Sequence, residues 1–204
     1  MYNPRKQCFY YCFWTFKEYF EGSSMLWFDY GADAPNDYHP YGKHQKGCLI
    51  SMKAAKMFAK ELLETYLQLL KLDYLPHRFN DDGIIMRYEN DIIEWKFVQY
   101  HYFDKHPKVN VDSVRMVIMN FRSMLCWKLC QYTNYSTHKL AKEHTKHPFW
   151  TGLCDLLNQR YDLYEKLQDE SYKSGKYPRG QWPESSIQEL YENIESFLNY
   201  VIHN

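Results

Sequence analysis

Three residues in the first half of the chain have the types and order of a metal-dependent hydrolytic site. Asp82 stands just before the apolar run Ile84-Ile85-Met86, and Glu94 and Lys96 follow a turn as Glu-Trp-Lys. Two carboxylates can share a divalent cation, and a lysine beside them can orient and activate the attacking water. Two other clusters offer binding rather than bond-breaking chemistry. Lys139, Lys142 and Lys146 lie among His138, His144 and His147, a local basic patch suited to a phosphate backbone or an acidic partner. Tyr172, Lys173, Lys176, Tyr177, Arg179 and Trp182 interleave rings with cations. Such a composition stacks on single-stranded bases and equally fills protein interfaces.

The order Asp then Glu-x-Lys resembles that of PD-(D/E)xK nucleases, and strand geometry tests whether it can work here. Residues 83–88 and 92–103 read as a β-hairpin. Side chains alternate faces along a strand, and directly opposed residues share a face. Ile93, Trp95 and Phe97 form the drier side of the second strand, so they belong opposite Ile84, Met86 and Tyr88. That match requires a two-residue loop at Glu89-Asn90 or a four-residue loop from Glu89 to Ile92. The second choice sets Arg87 opposite Glu94. Either places Asp82 on the dry face and Glu94 and Lys96 on the wet one. Shifting the register to correct the faces sets Asp82 opposite Val98, roughly 13 Å from Glu94 at about 3.3 Å per residue. Only a bulge near Gly83 would close that gap. The expectation is therefore an amphipathic hairpin with Ile84, Met86, Trp95 and Phe97 on one buried face. Glu61 or Glu64, on the preceding helix, would supply the further carboxylate a nuclease needs.

The remaining reactive residues point to structure. Among six cysteines, Cys8/Cys12 and Cys126/Cys130 are i,i+4 pairs on predicted helices. Neither pair closes its own disulfide easily, and neither has the Cys-x-x-Cys knuckle of zinc ribbons. Core thiols are expected, with no metal and no cofactor. The histidines near His39, His44 and Cys48, and those around His144, lack the His-Glu-x-x-His spacing of helical zinc sites. Phosphate-binding glycine loops and the Gly-x-Ser-x-Gly nucleophile turn are absent from the sequence. A non-enzymatic role is favoured.

The elements that must position these residues follow from periodicity and punctuation. A helix is predicted over 4–21, with Phe9, Phe13, Phe16 and Phe20 at helical spacing, then a strand near 25–30 and a loop over 31–47. Ser51 to Leu70 is strongly amphipathic, with Ala55, Phe58, Leu62, Tyr66 and Leu69 in one stripe. A helix capped by Asp112 or Ser113 runs to about Tyr132, apolar nearly all round and so the central buried helix. Further helices are expected at 136–144, from Pro148 to about Glu170, and over 186–202. The last opens on the capping box Ser186-x-x-Glu189. Residues 171–183 read as loop.

The sum is an α+β protein, predominantly helical, with about five helices and a small antiparallel sheet (strands near 25–30, 83–88 and 92–103). One domain over 1–204 is expected, with the helical portion 111–204 packed on the α/β portion 1–110. Lys+Arg and Asp+Glu are both 25, so formal net charge is zero. A protein built to grip nucleic acid non-specifically needs a surplus of cations. Aromatic residues make up 19% of the chain, which suits a ring-filled core and half-buried contact surfaces. No run spans a membrane and no signal peptide is evident, so a cytoplasmic protein is expected. The functional expectation is a macromolecule-binding protein: an accessory subunit, regulator or inhibitor of a larger complex. A nucleic-acid-binding module using the basic-aromatic loops is the alternative, followed by the divergent nuclease on Asp82, Glu94 and Lys96.

Overall fold

A computed structural model describes residues 24–26, 50–76, 84–89, 91–97, 103–105, 107–130, 133, 147–177 and 181–204. The predicted helices at 4–21 and 136–144 and the loop 31–47 lie outside them. Within them the protein is mainly helical with short antiparallel strands, in the order β1 (Ser24–Leu26), α1 (Met52–Lys71), β2 (Tyr74–Pro76), β3 (Ile84–Glu89), β4 (Ile92–Phe97), β5 (Phe103–Lys105), α2 (Val111–Phe121), a π-helical continuation (Arg122–Leu129), α3 (Pro148–Ser174) and α4 (Ile187–His203).

Each helix starts where its side-chain chemistry satisfies orphan backbone donors. Ser51 caps α1, its hydroxyl accepting from the Ala54 N–H at 3.0 Å. Ala54, Ala55, Phe58, Leu62 and Tyr66 are buried below it, and Leu69 packs half-buried on the core. The Tyr66 hydroxyl donates to the Pro76 carbonyl at 3.0 Å, which draws β2 onto the helix that precedes it. The cap of α2 is Asn110, not Asp112 or Ser113: its Oδ1 accepts from the Ser113 N–H at 2.9 Å. Asp112 is thereby left in the first turn, where it pairs with Arg115 at 3.0 Å and accepts from Gln168 of α3 at 2.8 Å. As expected, α2 and its π-helical continuation are central. Val114, Val117, Ile118, Phe121, Met124, Leu125 and Leu129 are fully buried.

The longest helix, α3, has 27 residues and opens on Pro148 behind a His147 cap. It runs to Ser174, so Tyr172 and Lys173 are helical rather than part of a loop. Gly175 stops it in the left-handed region, at φ 65°. At the other end Trp150 is fully buried, its indole N–H donating to the Met52 sulfur at 3.2 Å. A Cβ on Gly152 would collide with the Tyr200 hydroxyl of α4, which donates to the Phe149 carbonyl at 3.0 Å. Glycine at that position permits α3 and α4 to approach closely. Lys56 of α1 lies 4.6 Å above the Phe149 ring, and Lys71 lies 5.5 Å above Tyr191 of α4. Among the described residues, α1 to α4 and the hairpin contribute to one buried apolar cluster.

The strands form two sheets. One has the order β1-β3-β4 and the other pairs β2 with β5, all antiparallel. In the hairpin Arg87 stands opposite Glu94, the register of the longer-loop alternative, but pairing continues to Glu89 opposite Ile92. Two positions thus separate the paired ends of the strands, the second of them Asp91 at φ 64°. Asp tolerates that conformation, and the connection lies one residue later than the Glu89-Asn90 alternative. Ile84, Ile93 and Phe97 are buried, Trp95 is half-buried, and Ile92, Glu94 and Lys96 are exposed. The expected strand 92–103 is two strands in different sheets. Phe103 belongs to β5, and its ring packs edge-on against Phe97 at 5.4 Å between centroids.

Candidate interaction surface

The second half of helix α3 is largely exposed. Beyond Leu157, only Tyr164 and Ser171 among its residues are buried, with Arg160, Tyr161, Asn158 and Gln168 half-buried. Their spacing marks a single inward face of a 3.6-residue helix. The rest of its last three turns is solvent-exposed, including Leu163, Leu167 and Tyr172, the last at 69%. Lys173, Lys176 and Tyr177 follow and are also exposed. The turn that presents them is internally bonded. Gly175 N–H donates to the Tyr172 carbonyl at 3.3 Å, Lys176 N–H to Ser174 Oγ at 3.2 Å, and Ser174 Oγ to the Ser171 carbonyl at 2.7 Å. Trp182 is half-buried on the return. The returning chain is pinned to the start of α2 by a bridge of Asn110 with Glu184, with Val111 N–H on the Pro183 carbonyl at 3.0 Å.

Of the residues singled out from sequence, the structure brings Tyr172, Lys173, Lys176 and Tyr177 together at this end. Arg179, Lys139, Lys142 and Lys146 lie outside the described residues, as does Asp82. Glu94 and Lys96 are exposed on one face of β4, while Trp95 on the other face donates its indole N–H to Glu61 Oε2 at 3.1 Å. Glu61 therefore sits on the side of the sheet opposite Glu94. Among the described residues no group of three or more His, Cys, Asp or Glu side chains is placed to hold a metal ion.

Two side-chain networks hold α3 in place, and sequence reasoning did not anticipate either. The Tyr161 ring is approached by two guanidinium groups, Arg122 at 4.8 Å and Arg115 at 5.8 Å. Its hydroxyl accepts from Arg115 at 3.1 Å and donates to Glu165 at 3.1 Å. The available signal was the i,i+7 spacing of the two arginines along one helix. Closer to the core, the Tyr164 hydroxyl donates to Glu189 at 2.5 Å and accepts from Asn193 at 2.9 Å. Ser185 Oγ donates to the other oxygen of the Glu189 carboxylate. Ser186 caps α4 as predicted, accepting from the Glu189 N–H at 2.9 Å, but the carboxylate serves Tyr164 and Ser185 instead of completing the box.

These networks set a pH response. Burial raises the Tyr164 phenol well above its ordinary pKa, with Glu189 pushing the same way, and burial alone raises Tyr66. Burial likewise raises the Cys126 thiol, with Cys154 beside it. The folded state keeps protons that the unfolded chain releases above about pH 8.5 for cysteine and about pH 10 for tyrosine. Their contribution is complete below those values and is lost as pH rises toward the folded-state pKa values. Urea unfolding between pH 7 and 11 will show stability level to about pH 8.5 and then falling. Stability unchanged to pH 11 would contradict the assignment.

No protein-family model, no curated protein and no solved structure matches this chain. Among the described residues no helix is long and apolar enough to cross a membrane.

Proposed function

We propose that the protein acts in the cytosol by binding another protein, as an accessory subunit, regulator or inhibitor of a larger complex, through the exposed end of α3. The observation that carries this reading is where exposed apolar surface collects. Of the eight exposed large hydrophobic residues among those described, four (Leu163, Leu167, Tyr172 and Tyr177) lie between positions 163 and 177. Scattered exposed apolar residues are ordinary; here Leu163 and Leu167 share one flank of α3, and Tyr172 and Tyr177 bracket the internally bonded turn at its end, which supports that turn as the contact surface. Tyrosine is suited to this role because it loses little conformational freedom for the area it covers.

Charge favours a protein partner over nucleic acid. Lys173 and Lys176 are adjoined by Asp169 and Glu170, all exposed, so this end of the helix carries no surplus of cations. A purified single-stranded oligonucleotide should therefore show no binding that steepens as salt falls, whereas proteins retained from a host extract should persist after nuclease treatment. Tight, strongly salt-dependent oligonucleotide binding would transfer the assignment to nucleic acid.

A further inference from the structure

We propose that two copies of this chain pair through one flank of α3, with the helices antiparallel and crossing at the level of Glu165. Arg160, Leu163, Leu167 and Glu170 recur at spacings of three, four and three, which sets them in one stripe along the helix. The stripe lies beside the buried row of Tyr164 and Ser171, not within it, and its leucines are 45% and 37% exposed. Leu156, half-buried against the core, continues it toward the helix start. Arg160 is half-buried. Glu170 meets Lys166 of its own helix at 3.8 Å, yet 60% of its side chain stays exposed.

The order of these residues selects a second copy as the occupant. An antiparallel two-fold axis at Glu165 reverses the stripe, so Leu163 meets Leu167 of the second copy and Arg160 meets its Glu170, each contact made twice. Apolar residue then faces apolar residue, and each charge faces its opposite. A parallel pair would instead set arginine against arginine and glutamate against glutamate. Lys166 of both copies comes near the axis, where the Glu170 beside each offsets their repulsion. From Arg160 to Glu170 the seam spans about 15 Å at about 1.5 Å per residue. Such an interface belongs to the small, transient class, with pairing at roughly micromolar protein. This pairing goes beyond the protein-binding reading and leaves the turn between Tyr172 and Tyr177 to the other protein.

The test is sedimentation velocity of the purified full chain between about 1 and about 200 μM. The expected result is a monomer at the low end that becomes a dimer at the high end. Arg160→Glu and Glu170→Arg should each weaken the dimer about tenfold or more, because each makes the stripe repel its own copy. Mixed in equal amounts, the two variants should pair again as a heterodimer, one stripe now acidic at both ends and the other basic. Leu167→Glu should also weaken pairing about tenfold or more. Tyr172→Ser with Tyr177→Ser should leave it unchanged, so failure of the dimer and failure of the protein-binding turn are read separately. If Arg160→Glu does not fold, Glu170→Arg and Leu167→Glu decide the matter at exposed positions. A monomer at every concentration, a dimer unmoved by Glu170→Arg and Leu167→Glu, or a mixture of the two charge variants that stays monomeric would overturn the inference.

Discussion

Trp150→Ala will destabilise the protein by about 3–5 kcal/mol, the largest loss expected from a single truncation. Trp150 is fully buried, and it is the largest of the fully buried side chains among the described residues. It packs edge-on against Phe149 at 4.9 Å and donates its indole N–H to Met52 at the start of α1. Removal opens a cavity where α3 begins, next to the close approach at Gly152. Trp150→Phe keeps much of the volume and should cost about 1–2 kcal/mol. Urea denaturation at pH 7, with an unchanged slope, reads both. A loss below about 1 kcal/mol for the alanine variant would show that the helices do not meet around this ring.

The second large effect is expected at Glu189. Its carboxylate accepts from both Tyr164 and Ser185, so Glu189→Ala strands the hydroxyl of a buried tyrosine and should cost about 2–4 kcal/mol. Tyr164→Phe removes the donor and should cost less, about 1–2 kcal/mol, because Asn193 still donates to the Glu189 backbone carbonyl at 2.8 Å. The double variant should be milder than the sum of the two, with a coupling of about 1–2 kcal/mol. Additive losses would mean that the short contact seen between Tyr164 and Glu189 contributes nothing. The same double-mutant logic applies at the surface with a different expectation. The Lys60–Glu64 and Lys166–Glu170 pairs, at 3.7 and 3.8 Å, are exposed and should contribute little.

Local rules carried the parts of the fold that local chemistry decides. The stripe of α1, the Ser186 cap and the Pro148 start of α3 need only neighbouring residues. The hairpin faces were legible because Ile84, Trp95 and Phe97 must share a face, but the pattern left two loop lengths open, and the observed register sets Arg87 opposite Glu94 with a shorter turn than that alternative had. What escaped depends on partners far along the chain. The pairing of Phe103–Lys105 with Tyr74–Pro76 has no signature within either segment. Periodicity offered Asp112 or Ser113 as the α2 cap, whereas Asn110 takes it and Asp112 is claimed by Arg115 and Gln168. At Glu189 the capping pattern was correctly seen, but the carboxylate found a phenol 25 positions away. Composition alone ends α3 near Glu170, four residues short of Ser174, because the polar, lysine-rich stretch that follows resembles a loop. Gly175 was the better marker, since a left-handed glycine is what terminates it. That boundary matters for the surface: it converts Tyr172 and Lys173 from loop residues into helical ones with a defined direction. The basic-aromatic cluster around them was visible in the sequence. The exposed Leu163 and Leu167 were not, because burial of an apolar helix residue depends on what lies beside it.

The assignment of a protein-binding surface is tested most directly by capture from a host extract. The full chain would be compared with a variant carrying Tyr172→Ser, Lys173→Glu, Lys176→Glu and Tyr177→Ser. All four side chains are exposed, so the variant should melt within about 2 °C of the original. A defined protein, retained after nuclease treatment, is expected to co-purify with the original chain and to be lost at least tenfold with the variant. Equal retention by both chains, or no specific protein retained by either, would contradict the assignment.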